Sequence, residues 1–265
     1  MRYFFHISYT GTHYHGWQKQ PQVISVQEVI EDRLSKILKT QTKIYGCGRT
    51  DAGVHASQFF FHVDIDIIID FDLVFRLNKI LPPFIAVFDI IPMDGLPHAR
   101  FDAIQRTYDY FIHTYNNPFL NQISALYQYH SLDFEKMKNA VALLPLYNDY
   151  KAFCSHPEKY EHTICQVSKA SLFVSFNGSQ LKFHISSNRF LGKMIRIIMG
   201  RLLKIGIGAL SVDEFESYLI NKTSPPITPP AHPQGLYLSK VTYPYLDVPA
   251  KTNLSNIIQD LKQDY

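Results

Sequence analysis

The stretch Gly46-Cys47-Gly48-Arg49-Thr50-Asp51-Ala52-Gly53-Val54-His55-Ala56-Ser57-Gln58 lies between two runs that read as β-strands, residues 42–48 and 56–65. At its centre a carboxylate, Asp51, stands two residues after Arg49 and among three glycines. Glycine has no Cβ, so it permits left-handed backbone angles and the close approach of another chain or a ligand. Two readings of the carboxylate are open. Asp and Gly are ordinary turn residues, and Arg49 can neutralise Asp51 on a surface; alternatively the turn displays a reagent. The Gly46-x-Gly48 opening is not a dinucleotide fingerprint, because no helix clearly follows and the third glycine is misplaced.

Working outward, the segments on either side alternate between strand and helix patterns. Residues 2–9 place Tyr3, Phe5, Ile7 and Tyr9 on one face, a strand pattern. Ser25-Val26-Gln27-Glu28 is a capping box, and Val26, Val29, Ile30, Leu34, Ile37 and Leu38 follow at helical spacing. A second helix, 72–81, stops at Pro82-Pro83, and Ile85 to Ile91 reads as a strand. The order strand, helix, strand, strand, helix, strand makes one α+β layer. Gly95-Leu96-Pro97 interrupts the pattern and predicts a subdomain boundary. The expected organisation is an N-terminal α+β subdomain over 1–97, a second over 98–245, and a tail, 246–265, with some helical character.

In the second half, 106–112 reads as a strand with Arg106, Tyr108 and Tyr110 on one face, a row that can serve as cross-strand packing. Asp133 opens a helix to 143. The segment Ser155 to His162 is polar and reads as a loop inserted in an otherwise regular pattern. Strands 165–176 and 180–187 are joined by Asn177-Gly178, a hairpin signal. A helix over 188–205 is apolar around most of its circumference, and Arg189, Lys193, Arg196, Gly200 and Lys204 trace a stripe along it, with Arg201 adding a further charge. A solvated basic face is the ordinary reading of such a stripe. Arg196, however, lies between Ile195 and Ile197, where an unpaired guanidinium is costly to bury, so it calls for a carboxylate. Ser211 caps one more helix, ending near Asn221, and a proline-rich run over 225–231 leads to a last strand at Gly235-Leu236-Tyr237-Leu238.

Composition sets the class. With 265 residues, 46% hydrophobic and 18% charged, the chain is globular and long enough for two compact units. A formal net charge of +3 argues for nucleic acid only if it is concentrated in one place. Three cysteines without a CxxC give no disulfide framework and suit a reducing cytoplasm. No apolar run approaches membrane-spanning length. His13 and His15 lack a third ligand nearby in sequence, so they make a poor metal site.

Gly48-Arg49-Thr50-Asp51-Ala52-Gly53-Val54-His55 resembles the signature of the tRNA pseudouridine synthase A family. The segment ending Gly16-Trp17-Gln18, the pair Ala99-Arg100-Phe101 and Arg106-x-Tyr108-x-Tyr110, and Phe190-Leu191-x-x-Met194-Ile195-Arg196-x-Ile198-x-Gly200 resemble three more of its motifs, in the family's order. The resemblance runs through most of the chain, leaving only the tail after Tyr245. It implies an α+β pseudouridine synthase-like fold: two subdomains with largely antiparallel sheets and a basic catalytic cleft between them. It further implies an RNA isomerase acting at positions 38, 39 and 40 of the tRNA anticodon stem-loop, a homodimer, no metal or cofactor, and neither DNA nor membrane as a partner.

Carried over residue by residue, the resemblance makes Asp51 the catalytic carboxylate, Arg196 its partner, and Tyr108 the ring against the target base. Arg49, Arg189 and Lys193 become substrate contacts, and the Gly16-Trp17-Gln18 loop lines the RNA cleft. The last family segment departs here: His232 and Pro233 stand as extra residues before Gln234. The isomerisation cleaves N1–C1′, turns the uracil and joins C1′ to C5 without redox change, so it calls for no nicotinamide, flavin or metal. Asp51 attacking the base, attacking the ribose, or removing the 2′ proton all remain open. Two rivals stand beside this reading: a non-catalytic RNA-binding relative, and a synthase with another RNA target. A glycosidase is disfavoured because no second carboxylate pairs with Asp51.

Overall fold

A computed structural model describes residues 1–129, 131–223, 229–252 and 254. The chain is α+β, and its strands pair mostly antiparallel. It divides into two compact units, Met1–Ile104 with Tyr237–Leu254, and Gln105 to Leu236. The expected tail beyond residue 254 and most of the proline-rich run before Pro229 lie outside the described residues.

In the first unit, β1 (Arg2–Tyr9) is flanked antiparallel by β3 (His55–Asp64) and β4 (Ile85–Met93). The free edge of β3 is shared. Its later half pairs with β2 (Tyr45–Gly46), and its first two residues pair in parallel with β9 (Leu236–Thr242), His55 opposite Tyr237. The strand expected over 42–48 is only two residues long, and the Cys47 amide makes one further bond to β3, donating to the Phe60 carbonyl at 2.7 Å, before the chain enters the Asp51 turn.

The expected alternation on β1 covers one face only, yet Phe4, Phe5, His6 and Ile7 are all buried. Phe5 and Ile7 sit opposite Phe61 and Phe59 on the face where Trp17 packs. Phe4 lies on the other face against Tyr243, whose hydroxyl donates to the Ala99 carbonyl. A strand covered on both faces loses the polar half of its pattern. Two helices complete this unit. α1 (Val26–Leu38) is capped by Ser25, whose Oγ accepts the Glu28 amide at 3.2 Å, and buries Val26, Ile30, Leu34 and Leu38. α2 (Leu73–Ile80) is capped by Asp72.

The second unit is built on β5 (Gln105–His113), β8 (Gln180–Ser187) and β7 (Val167–Val174), paired antiparallel in that spatial order. The β7–β8 hairpin turns where Asn177-Gly178 predicts it. A two-residue strand, β6 (Ala125–Leu126), joins β5 in parallel. α3 (Phe134–Leu143) and α5 (Val212–Asn221) are capped by Asp133 and Ser211.

The apolar helix α4 spans Met194–Gly206, not 188–205. Lys193 adopts a left-handed conformation at φ 59, which a helix cannot pass through, so Arg189 and Lys193 stand on the turn before the helix. Within α4 only Arg196, Gly200 and Lys204 escape burial, a strip at four-residue spacing. Arg201 is no part of it: its guanidinium is buried, 4.4 Å from the Phe153 ring centroid and 4.8 Å from that of Tyr218. Desolvation pulls its pKa down to about 10.

Candidate active site

Asp51 is half-buried at the apex of a turn whose backbone is fixed from below. Its carbonyl accepts the Val54 amide at 3.1 Å, closing the turn. The neighbouring Thr50 carbonyl accepts the Trp17 amide at 3.2 Å, and the Thr50 hydroxyl lies 3.0 Å from Tyr9 Oη. The Gly53 amide donates to Tyr14, and the Gly11 amide donates to His55 Nδ1 at 3.1 Å. Segment 11–17 is thus a cradle for the Asp51 turn.

Two glycines make that contact possible. Gly16 has φ +85, and a Cβ there would stand 2.3 Å from the Thr50 carbonyl oxygen; at Gly11 it would stand 2.1 Å from that of Val54. Tyr14, Gly16 and Trp17 are buried, while His13, His15 and Gln18 are exposed. The Gly16-Trp17 segment therefore supports the turn with its buried side, while His13, His15 and Gln18 face solvent. Arg49 is exposed. Among the described residues no group of three His, Cys, Asp or Glu side chains is placed to hold a metal ion.

In the second unit, Tyr108 is buried on β5 opposite Ile185, with the Phe190 ring edge-on at 5.1 Å. Arg196 Nε donates to the Ala231 carbonyl at 2.7 Å, and the Ala231 amide donates to the Arg196 carbonyl at 2.9 Å. The next residue is held too. Tyr110 Oη donates to the His232 carbonyl at 2.6 Å, and Tyr127 Oη accepts the His232 amide at 2.9 Å. Burial raises the pKa of Tyr110 well above the ordinary phenol range and raises that of Tyr127, while the nearby Arg196 cation opposes both shifts. Both hydroxyls are therefore neutral at physiological pH, Tyr110 donating and Tyr127 accepting.

Arg189 is half-buried, with Nη1 donating to the His162 ring, and Lys193 is exposed. The polar insert 155–162 holds their turn: Gly192 donates its amide to Tyr160 Oη at 2.8 Å, and the Ser155 amide donates to the Gly192 carbonyl at 3.2 Å. Tyr110 was legible as a packing residue, but nothing in local spacing pointed to Tyr127. It follows a two-residue strand, too short to leave a periodic signal.

A sequence model described as tRNA pseudouridine synthase matches residues 147–244. A tRNA pseudouridine synthase A from Porphyromonas gingivalis is 37% identical over 246 residues, covering 92% of this chain and 97% of the relative. Another bearing that name, from Bacteroides fragilis, is 39% identical across 92% of this chain and 96% of the relative. The chain belongs to the tRNA pseudouridine synthase A family. A more distant relative of the same name, from Hydrogenobaculum, is 36% identical over 91% of this chain and 99% of the relative. Membership in the tRNA pseudouridine synthase A family makes the chain an isomerase. No helix among the described residues is long and apolar enough to cross a membrane.

Proposed function

We propose that this chain converts uridine to pseudouridine at positions 38, 39 and 40 of the tRNA anticodon stem-loop, acting in the cytoplasm as a homodimer. The observation that carries the reading is the intact signature around Asp51, set on a turn whose backbone is pinned through Thr50, Gly53 and Val54, in a chain similar to tRNA pseudouridine synthases A over almost their whole length. A reagent that must meet C1′, C6 or the 2′ position in one orientation needs such a mount.

In this reading Asp51 is the ionised group that starts glycosidic cleavage. Arg196 is its counter-ion, directing the carboxylate through charge-assisted hydrogen bonds. Tyr108 offers a flat face to the extruded uracil, which keeps the base in place until C5 meets C1′. Arg49, with Arg189 and Lys193, takes phosphates and holds the nucleotide out of its stack.

The test compares wild type with Asp51→Asn on an unmodified transcript of a tRNA bearing uridines at those positions. Pseudouridine formation and binding affinity are measured together. The expected result is an active wild type and a variant that binds within about twofold yet makes no product, since the near-isosteric change spares the phosphate contacts that dominate affinity. A wild type that binds this tRNA without modifying it would overturn the reading in favour of another RNA target.

A further inference from the structure

The geometry points to a nucleobase-stacking platform made by His232, Tyr127 and Tyr129, which takes an unstacked base of the RNA beside the reacting uridine. The inference rests on the proposed action on RNA. His232 is the departure from the family pattern noted above, and its imidazole is exposed. Its backbone is not loose. Both of its polar groups are used, the carbonyl by Tyr110 and the amide by Tyr127, and the preceding residue is bonded to Arg196 on both sides. An exposed ring on a backbone held at four points is an unusual expense of order for a surface loop, since loops ordinarily leave such groups to water.

The ring itself adds to an aromatic row. His232 lies 5.0 Å from the Tyr127 ring centroid, tilted by 39°, and Tyr127 stacks on Tyr129 at 5.9 Å with the planes 11° apart. Tyr127 and Tyr129 are half-buried, so the row is rooted in the fold at one side and accessible at the other. Aromatic side chains in this arrangement bind unstacked bases without reading their edges. Ala231 couples the platform to Arg196, so a base seated on His232 would occupy a defined place relative to that guanidinium.

The test uses the full chain and a synthetic anticodon stem-loop RNA, together with a set of the same RNA in which one nucleotide at a time is abasic. Binding and single-turnover pseudouridine formation are measured for wild type, His232→Ala and His232→Phe. The expected result is that His232→Ala raises Kd about tenfold while His232→Phe stays within about twofold, because stacking and not charge is supplied. At one flanking position the abasic RNA should weaken wild-type binding yet leave His232→Ala unaffected. Unchanged Kd in His232→Ala, or losses that add at every abasic position, would overturn the platform. Binding without pseudouridine formation by wild type would instead sink the proposed function while leaving the coupling readable.

Discussion

Arg196 and Ala231 are bonded to each other twice, Nε to carbonyl at 2.7 Å and amide to carbonyl at 2.9 Å. The pair fixes both the helix residue and the direction of its guanidinium, which a point charge on a flexible stem would not reproduce. Arg196→Lys keeps the charge and loses the Nε bond. A charge-assisted hydrogen bond is worth about 1.5–3 kcal/mol, so kcat should fall roughly ten- to a hundredfold while tRNA affinity changes little. Single-turnover kinetics beside a binding titration checks this, and a loss confined to affinity would show that Arg196 serves only the phosphates.

The Asp51 turn should be sensitive to Gly16, a residue with no chemistry of its own. Alanine there must adopt φ +85 and push its Cβ toward the Thr50 carbonyl oxygen, which lies 2.3 Å from the built position. The conformation alone costs about 1–3 kcal/mol, and the clash adds to it. Gly16→Ala should lower Tm and kcat together. Thermal unfolding and activity assays on the same preparation decide it; a variant with native Tm and native kcat would mean that the cradle does not position the turn.

Tyr160 supports the turn that carries Arg189 and Lys193 through one hydrogen bond from Gly192. Tyr160→Phe removes the acceptor at about 1 kcal/mol. The expected consequence is a rise in KM for tRNA of a fewfold with kcat unchanged, because the basic turn loosens while Asp51 and Arg196 keep their supports. Steady-state kinetics separates the two constants.

His62 gives the fold an acid-labile element. It is 2% exposed, and burial, aided by the Arg2 cation, pulls its pKa from 6.5 to about 4. The folded chain keeps the ring neutral where the unfolded chain takes up a proton, so stability is complete above about pH 6.5 and falls as pH drops towards 4. The shift corresponds to roughly 3 kcal/mol at most. His6, His98 and His113 shift in the same direction for the same leading cause. Urea unfolding from pH 7 to pH 4 should show the decline, and His62→Phe should show a shallower one; equal slopes would mean that His62 is protonated in the folded state.

The helices α1, α3 and α5 were legible because Ser25, Asp133 and Ser211 cap them locally, with a side-chain oxygen accepting the amide three residues on, and α2 because Pro82-Pro83 stops it. The hairpin at Asn177-Gly178 was legible for the same reason. The start of α4 was not. Its apolar pattern extends back to Phe190, but Lys193 turns left-handed where the 155–162 insert holds Gly192, and no periodicity records a distant hydrogen bond.

The sequence by itself determined the α+β class, most element positions and the family, because caps, turn residues and short motifs act over a few neighbouring positions. Tertiary structure alone decided that β9 returns to pair with β3, that Arg201 is buried between two rings, and that Tyr110 and Tyr127 grip the loop beside Arg196. Those partners stand roughly a hundred residues or more apart, apart from the closer contacts of Arg201, and are chosen by packing and by the need to satisfy buried polar groups, for which local sequence carries no signal.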